Sequence, residues 1–212
     1  MDKLRIANSV LFWGAMWGFF EATVGYLLHL LPVQIGYLVW FPAAIFFLDR
    51  AYKSTKKTYV VILVAIFAAL IKLFDFLTPI RPDKVTNPAF SIICEGLAAF
   101  IVYSALEKQS GKKLLITSVI LSALWRVFYI VYLLFIPQWM YDISVLVSRE
   151  KLIRFLIFEN GINALTVYAC FSLSAVFRRI APEKTERKKN LILKYCSTVL
   201  IIAADVAATV LL

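Results

Sequence analysis

Six apolar runs dominate this sequence, at roughly 7–31, 33–48, 58–77, 89–106, 114–136 and 152–177, and a further run occupies 191–212. Inside a bilayer the backbone must satisfy its own hydrogen bonds, and about 20 residues of α-helix cover the hydrocarbon core. The runs therefore predict an all-α, polytopic integral membrane helical bundle, with six core transmembrane helices and an additional seventh at the C-terminal end. The second run is short and holds Pro42, which predicts a kink or a tilt. Composition agrees: 62% of residues are hydrophobic, 17% are charged and the mean hydropathy is +0.82, outside the range of soluble domains. The start, Met1-Asp2-Lys3-Leu4-Arg5, is like that of a signal peptide, but the run behind it is too long and contains Glu21. It reads as a retained first span.

The loops predict an orientation. Fifteen basic residues fall on one side: Lys3 and Arg5, then those at 50–57, 108–113 and 178–189. Five fall on the other, Arg81, Lys84, Arg149, Lys151 and Arg154. The positive-inside rule then puts the N-terminus in the cytoplasm of a plasma-membrane, multi-pass protein. It also explains the formal net charge of +10 without nucleic acid, since the basic residues lie in short loops between apolar runs. Residues 1–178 form the six-helix core, 179–190 a basic cytoplasmic linker and 191–212 the additional helix. Cys94, Cys170 and Cys196 are scattered through apolar runs with no CxxC spacing, so they read as packing residues.

Against this background seven ionisable side chains stand out inside the runs: Glu21, His29, Lys72, Asp75, Glu95, Arg126 and Glu159. Each costs at least ~2.5–3.5 kcal/mol to bring to bilayer depth and must be paired or must bind something. Counting along each span at about 1.5 Å per residue places all of them in the outer half, with Asn160 and Asn163 beside them. His29 lies near the outer surface, and the inner halves are nearly pure hydrocarbon. Two readings follow. In one, Lys72 pairs with Asp75 at i,i+3, Arg126 neutralises Glu95 or Glu159, and the charges lock the bundle. In the other they line an outward-facing pocket, where acids outnumber bases. Arg126 and Lys72 would then hold an anionic group, and Glu95, Glu159, Asn160 and Asn163 would take donors on the ligand.

Gly14, Gly18 and Ala22 make a small-xxx-small stripe on the first span, which lets another helix approach closely, either within the chain or on a partner. The proline-rich connection 79–88 and the aromatic loop 137–151, with Trp139, Tyr141 and Asp142, are predicted to be external; the first is either a cap over the pocket or a plain connector, the second a lid or part of an interfacial belt. Enzyme signatures are poor. There is one histidine and no HExxH, GxSxG or P-loop. Lys72 and Arg126 in the charged layer argue against a metal ion there, and no cofactor is indicated.

Six short-looped spans with the N-terminus inside, a small-residue stripe on the first and a polar site on the outer side together resemble the substrate-binding (S) components of energy-coupling factor transporters. The resemblance covers residues 1–178. It implies binding of a vitamin-like solute from outside and docking of Gly14, Gly18 and Ala22 on a transmembrane coupling subunit that works with ATPases. The expectation is thus a membrane-embedded substrate-binding or uptake subunit for a small polar solute. Two other classes stay open. One is a membrane-integral enzyme acting on a lipid or isoprenoid, with Glu21, Glu95 or Glu159 as general acid or base. The other is a structural assembly protein whose charges pair internally.

Overall fold

A computed structural model describes residues 2–29, 36–77, 79, 81–106, 114–137 and 145–180. Across them the chain is a bundle of six helices. Helix α1 is Asp2–His29, α2 is Gly36–Thr55, and α3 is Tyr59–Lys72, which tightens into a 3-10 turn over Leu73–Leu77. Helix α4 is Asp83–Leu106 and α5 is Leu114–Phe135. The last, α6, covers 149–180 in three parts: an α-helical start Arg149–Ile153, a π turn Arg154–Glu159 and an α-helical body Asn160–Ile180.

Local chemistry explains where these helices differ from the apolar runs. Helix α2 continues past Leu48 to Thr55 because its polar end is self-supporting. Asp49 and Lys53 form an i,i+4 ion pair, and the hydroxyls of Ser54 and Thr55 donate back to the Ala51 carbonyl. It stops at Lys56, whose φ of 58° is the left-handed cap conformation and whose N–H bonds to the Tyr52 carbonyl. Pro42 is buried inside α2. Helix α4 begins at Asp83, six residues before the apolar run at 89, so the second half of the 79–88 connection is helix and not a covering loop. The first turn is built by Pro82, whose fixed φ suits a helix start, and by Asp83, an acid at the positive end of the helix dipole. The Arg81 guanidinium forks onto Asp83, donating at 2.9 and 3.3 Å. Helix α6 starts on an N-cap: the Ser148 hydroxyl accepts the Lys151 N–H at 3.2 Å.

Helix α3 sits between α1 and α4, and glycine makes both contacts close. A Cβ built on Gly14 would come 2.7 Å from Phe67 Cδ1 and 3.2 Å from the Val64 carbonyl oxygen, and one on Gly18 would come 2.6 Å from Ile71 Cγ2. On the opposite side, a Cβ on Gly96 of α4 would collide with Ala65. Val61, Val64, Ala65, Ala68 and Ala69 of α3 are buried between these neighbours. The small-residue stripe is therefore used inside the chain, and the expected partner-docking role of Gly14 and Gly18 is corrected accordingly: that face is filled by α3. The side chain of Ala22 lies outside the described residues. Around this centre α2 packs on α1, α3, α4 and α6, and α5 bridges α4 and α6.

Four of the six helices are long and apolar enough to cross a membrane: Tyr59–Leu77, Asp83–Ala105, Leu114–Phe135 and Arg149–Ser172. Their outward faces carry exposed Leu63, Ile66 and Leu70 on α3, Ile116, Ile120 and Val131 on α5, and Ile157 and Leu165 on α6. A soluble protein would pay for such surface by aggregating, whereas lipid solvates it, and this marks a membrane protein. The linker from 181 onward, the helix expected at 191–212 and the loop residues Trp139, Tyr141 and Asp142 lie outside the described residues.

Candidate functional site

Electrostatic interactions link Glu21, Lys72, Asp75, Glu95, Arg126 and Glu159 from neighbour to neighbour across five helices. Glu21 of α1 accepts a hydrogen bond from Trp17 Nε1 at 3.3 Å and lies within electrostatic range of Lys72, Asp75 and Glu95. Lys72 and Asp75 form the predicted i,i+3 ion pair at the end of α3. The 3-10 turn that follows Lys72 makes it, because residues three apart eclipse one another in that geometry.

Glu95 of α4 is 4% exposed. Its carboxylate accepts one long hydrogen bond, 3.4 Å from Ser91 Oγ, and no cation lies within 4.0 Å of it among the described residues. Its charged neighbours at longer range are Glu21 and Arg126.

Arg126 of α5 is 1% exposed, and its partners differ from the expected acids. Nε donates to the Phe155 carbonyl at 2.8 Å, and Nη1 donates to the Ser122 carbonyl and hydroxyl, each at 3.0 Å. The Asn163 amide is assigned with its oxygen toward Arg126, the orientation that satisfies both of its ends. Nη2 then donates to Asn163 Oδ1 at 2.9 Å, and the Asn163 amide nitrogen donates to the Tyr37 carbonyl at 2.5 Å. The guanidinium also lies over the Trp125 and Phe155 rings, 4.6 and 4.9 Å from their centroids. Trp125 is fixed in turn by stacking on Phe41 at 5.4 Å. Four of the five N–H groups of Arg126 are thus engaged by neutral acceptors.

Glu159 pairs with Arg154 at 3.4 Å instead, and Arg126 feels it only at longer range. The expectation that Arg126 neutralises Glu95 or Glu159 by direct pairing is therefore corrected. The physical reason is that the guanidinium lies in the α5–α6 contact, where the Phe155 and Ser122 carbonyls, the Ser122 hydroxyl and the Asn163 amide oxygen satisfy it without an acid. The Asn160 carbonyl accepts from Ser122 Oγ at 3.2 Å, while its buried side-chain Oδ1 meets no donor. The side chain of His29 lies outside the described residues. No group of three or more potential metal ligands occurs among the described residues.

Sequence reasoning missed Trp17, Ser91, Ser122 and Arg154. Three of them obey one rule, sitting four residues before a buried charge: Trp17 before Glu21, Ser91 before Glu95, Ser122 before Arg126. That spacing stacks the pair on one helix face and was readable in the sequence. Arg154 was not readable, because its reach to Glu159 depends on the π turn.

Lys72 is committed to Asp75 and Arg126 to the α5–α6 contact, so the groups least compensated are Glu21 and Glu95. Chemically, such a layer holds a cation or a group rich in hydrogen-bond donors more readily than an anion. In comparisons with protein-family models, curated proteins and solved structures, the chain matched none.

Proposed function

We propose that this chain is a membrane-embedded binding subunit for the uptake of a small polar, vitamin-like solute, energised by a partner complex. All six helices cross the plasma membrane in this reading, the N-terminus is cytoplasmic as the loop charges indicate, and the solute enters from outside. The site is the layer of Glu21, Lys72, Asp75, Glu95, Glu159, Asn160 and Asn163, with Arg126 as its support. The observation that carries the reading is Glu95: a buried acid in a helix long and apolar enough to cross a membrane, held by a single 3.4 Å hydrogen bond. An ionisable group in that position is expensive, and one with no basic side chain within 4.0 Å among the described residues is what a site for a bound group would keep. The ligand contact is then a cationic or donor-bearing group on Glu95 and Glu21, in place of the anion on Arg126 and Lys72 that the residue types alone had implied. An internal, structural role is favoured for Arg126 alone, on the strength of its four hydrogen bonds.

Native mass spectrometry of protein purified from cells grown in rich medium tests this reading. A small polar molecule is expected to accompany the wild-type chain and to be absent from Glu95→Gln, which keeps the shape of the side chain and the fold. A wild-type chain that carries no small molecule, or a Glu95→Gln variant that carries the same one, overturns it. A bound lipid or isoprenoid product would point instead to an enzyme with Glu21, Glu95 or Glu159 as the acid or base.

A further inference from the structure

Helices α1 and α3 meet closely where α1 is small: Gly14 meets Phe67 and Gly18 meets Ile71, so the two run parallel. Nearer their Asp2 and Tyr59 ends the same seam carries bulkier side chains, Ile6, Val10 and Leu11 on α1 and Leu63, Ile66 and Leu70 on α3. These cannot approach as glycine lets backbones approach, and a cleft of about 500 Å³ lies between them. Phe67 lines the cleft and also borders Gly14, which puts the close contact and the cleft on one seam. At about 1.5 Å per residue the walls, Lys3 to Leu11 and Tyr59 to Leu70, are roughly 12–16 Å long.

The polar side chains that line the cleft are Lys3 and Tyr59, both at its one end and both exposed. That end is basic. Residues 1–11 and 56–70 carry Lys3, Arg5, Lys56 and Lys57 against a single acid, Asp2. The Ser9 and Ser54 hydroxyls, 2.7 Å apart, bring the end of α2, and with it Lys56 and Lys57, beside α1. Helix α3 is long and apolar enough to cross a membrane, so the cleft opens to lipid there. Lipid tails are as apolar as leucine, and such a cleft selects by its shape and by the charge at its mouth. Another helix is too wide for it: at a diameter of about 10–12 Å, a 12 Å length occupies at least about 1,000 Å³. An acyl chain is slender enough, and a cation beside a tyrosine, at the mouth of a cleft between membrane helices, suits an anionic headgroup.

We propose that the α1–α3 cleft binds one anionic phospholipid, with an acyl chain between the two helices and the phosphate on Lys3 beside Tyr59. The site lies at the far end of α1 from Glu21, and it stands whatever the polar layer binds.

Native mass spectrometry of the full chain in detergent tests it, with phosphatidylglycerol and phosphatidylethanolamine of identical chains added in equal amounts. The wild-type chain is expected to retain one lipid and to favour phosphatidylglycerol by roughly five-fold, the effect of one cation at a lipid surface. Lys3→Gln is expected to lose that preference, and Arg5→Gln, which removes the same charge outside the cleft, to keep it. Leu63→Trp fills the cleft and is expected to lose both lipids; Ile66→Trp serves in its place should Leu63→Trp not accumulate. Equal retention of the two lipids by the wild type refutes the site. So does a preference that survives Lys3→Gln or falls as far in Arg5→Gln, or lipid that stays on the tryptophan variants. A wild-type chain free of lipid refutes it as well, including a dimer that Leu63→Trp dissociates, which would put a second copy in the cleft.

Discussion

Replacing Gly18 by alanine is the sharpest probe of how this bundle is held. The added methyl would lie 2.6 Å from Ile71 Cγ2 and 2.9 Å from Ile71 Cβ. Ile71 cannot swing aside, because a β-branched side chain has essentially one χ1 rotamer in a helix and Cβ does not move with it. Helices α1 and α3 must therefore separate locally. Overpacking of this kind costs about 1–3 kcal/mol, against a gain of about 1 kcal/mol from replacing glycine within a helix. The net is a loss of roughly 1 kcal/mol, or about 2–4 °C in melting temperature for a chain of this size. Intrinsic tryptophan fluorescence on heating in detergent reads it directly, since Trp17 lies beside the perturbed contact and is fully buried. Gly161 is the internal control. A Cβ there meets nothing within 4 Å, so Gly161→Ala is expected to hold or raise the melting temperature through helix propensity alone. Ile71→Ala removes Cγ2 and Cδ1, and combined with Gly18→Ala it is expected to cost less than the sum of the two single changes. If Gly18→Ala proves as benign as Gly161→Ala, or if the double change is additive, the stripe does not face α3 and the packing argument fails.

Two further outcomes follow from the site. Lys72→Met leaves Asp75 facing Glu21 without its cation, and a loss of roughly 3 kcal/mol in thermal or chemical unfolding is expected, most of it recovered in Lys72→Met with Asp75→Leu. A single variant as stable as wild type would show that the pair is not needed. Asn163→Leu cuts the link between the Arg126 guanidinium and the Tyr37 carbonyl, and a cost of about 1.5–3 kcal/mol is expected for a buried hydrogen bond to a charged group. An unchanged unfolding midpoint in urea would mean that Arg126 finds another acceptor.

Much of the architecture could be read along the chain. The helix-length apolar runs, the i,i+3 placement of Lys72 and Asp75, and the small residues at Gly14 and Gly18 are one-dimensional patterns with a physical period, and each corresponds to something in the fold. The early start of α4 was masked by Pro82 and Pro88, which look like loop formers until Pro82 is seen to open the helix and Pro88 to sit within its first turns. The extension of α2 was masked by charges that bond to one another along the helix.

From the order of residues alone it follows that this chain is helical, that it is suited to a membrane, and that a few polar side chains fall inside its apolar helices. These properties depend on how many apolar residues occur in a row and on which side chains interrupt them. Which partner each buried charge takes was decided by the tertiary structure. Arg126 bonds to a carbonyl from α6 and not to an acid, Glu159 pairs with Arg154 across the π turn, and Glu95 is left with one long hydrogen bond from Ser91. A π turn has no composition of its own. Arg126 and the Phe155 carbonyl are 29 residues apart in the chain and meet because α5 packs against α6.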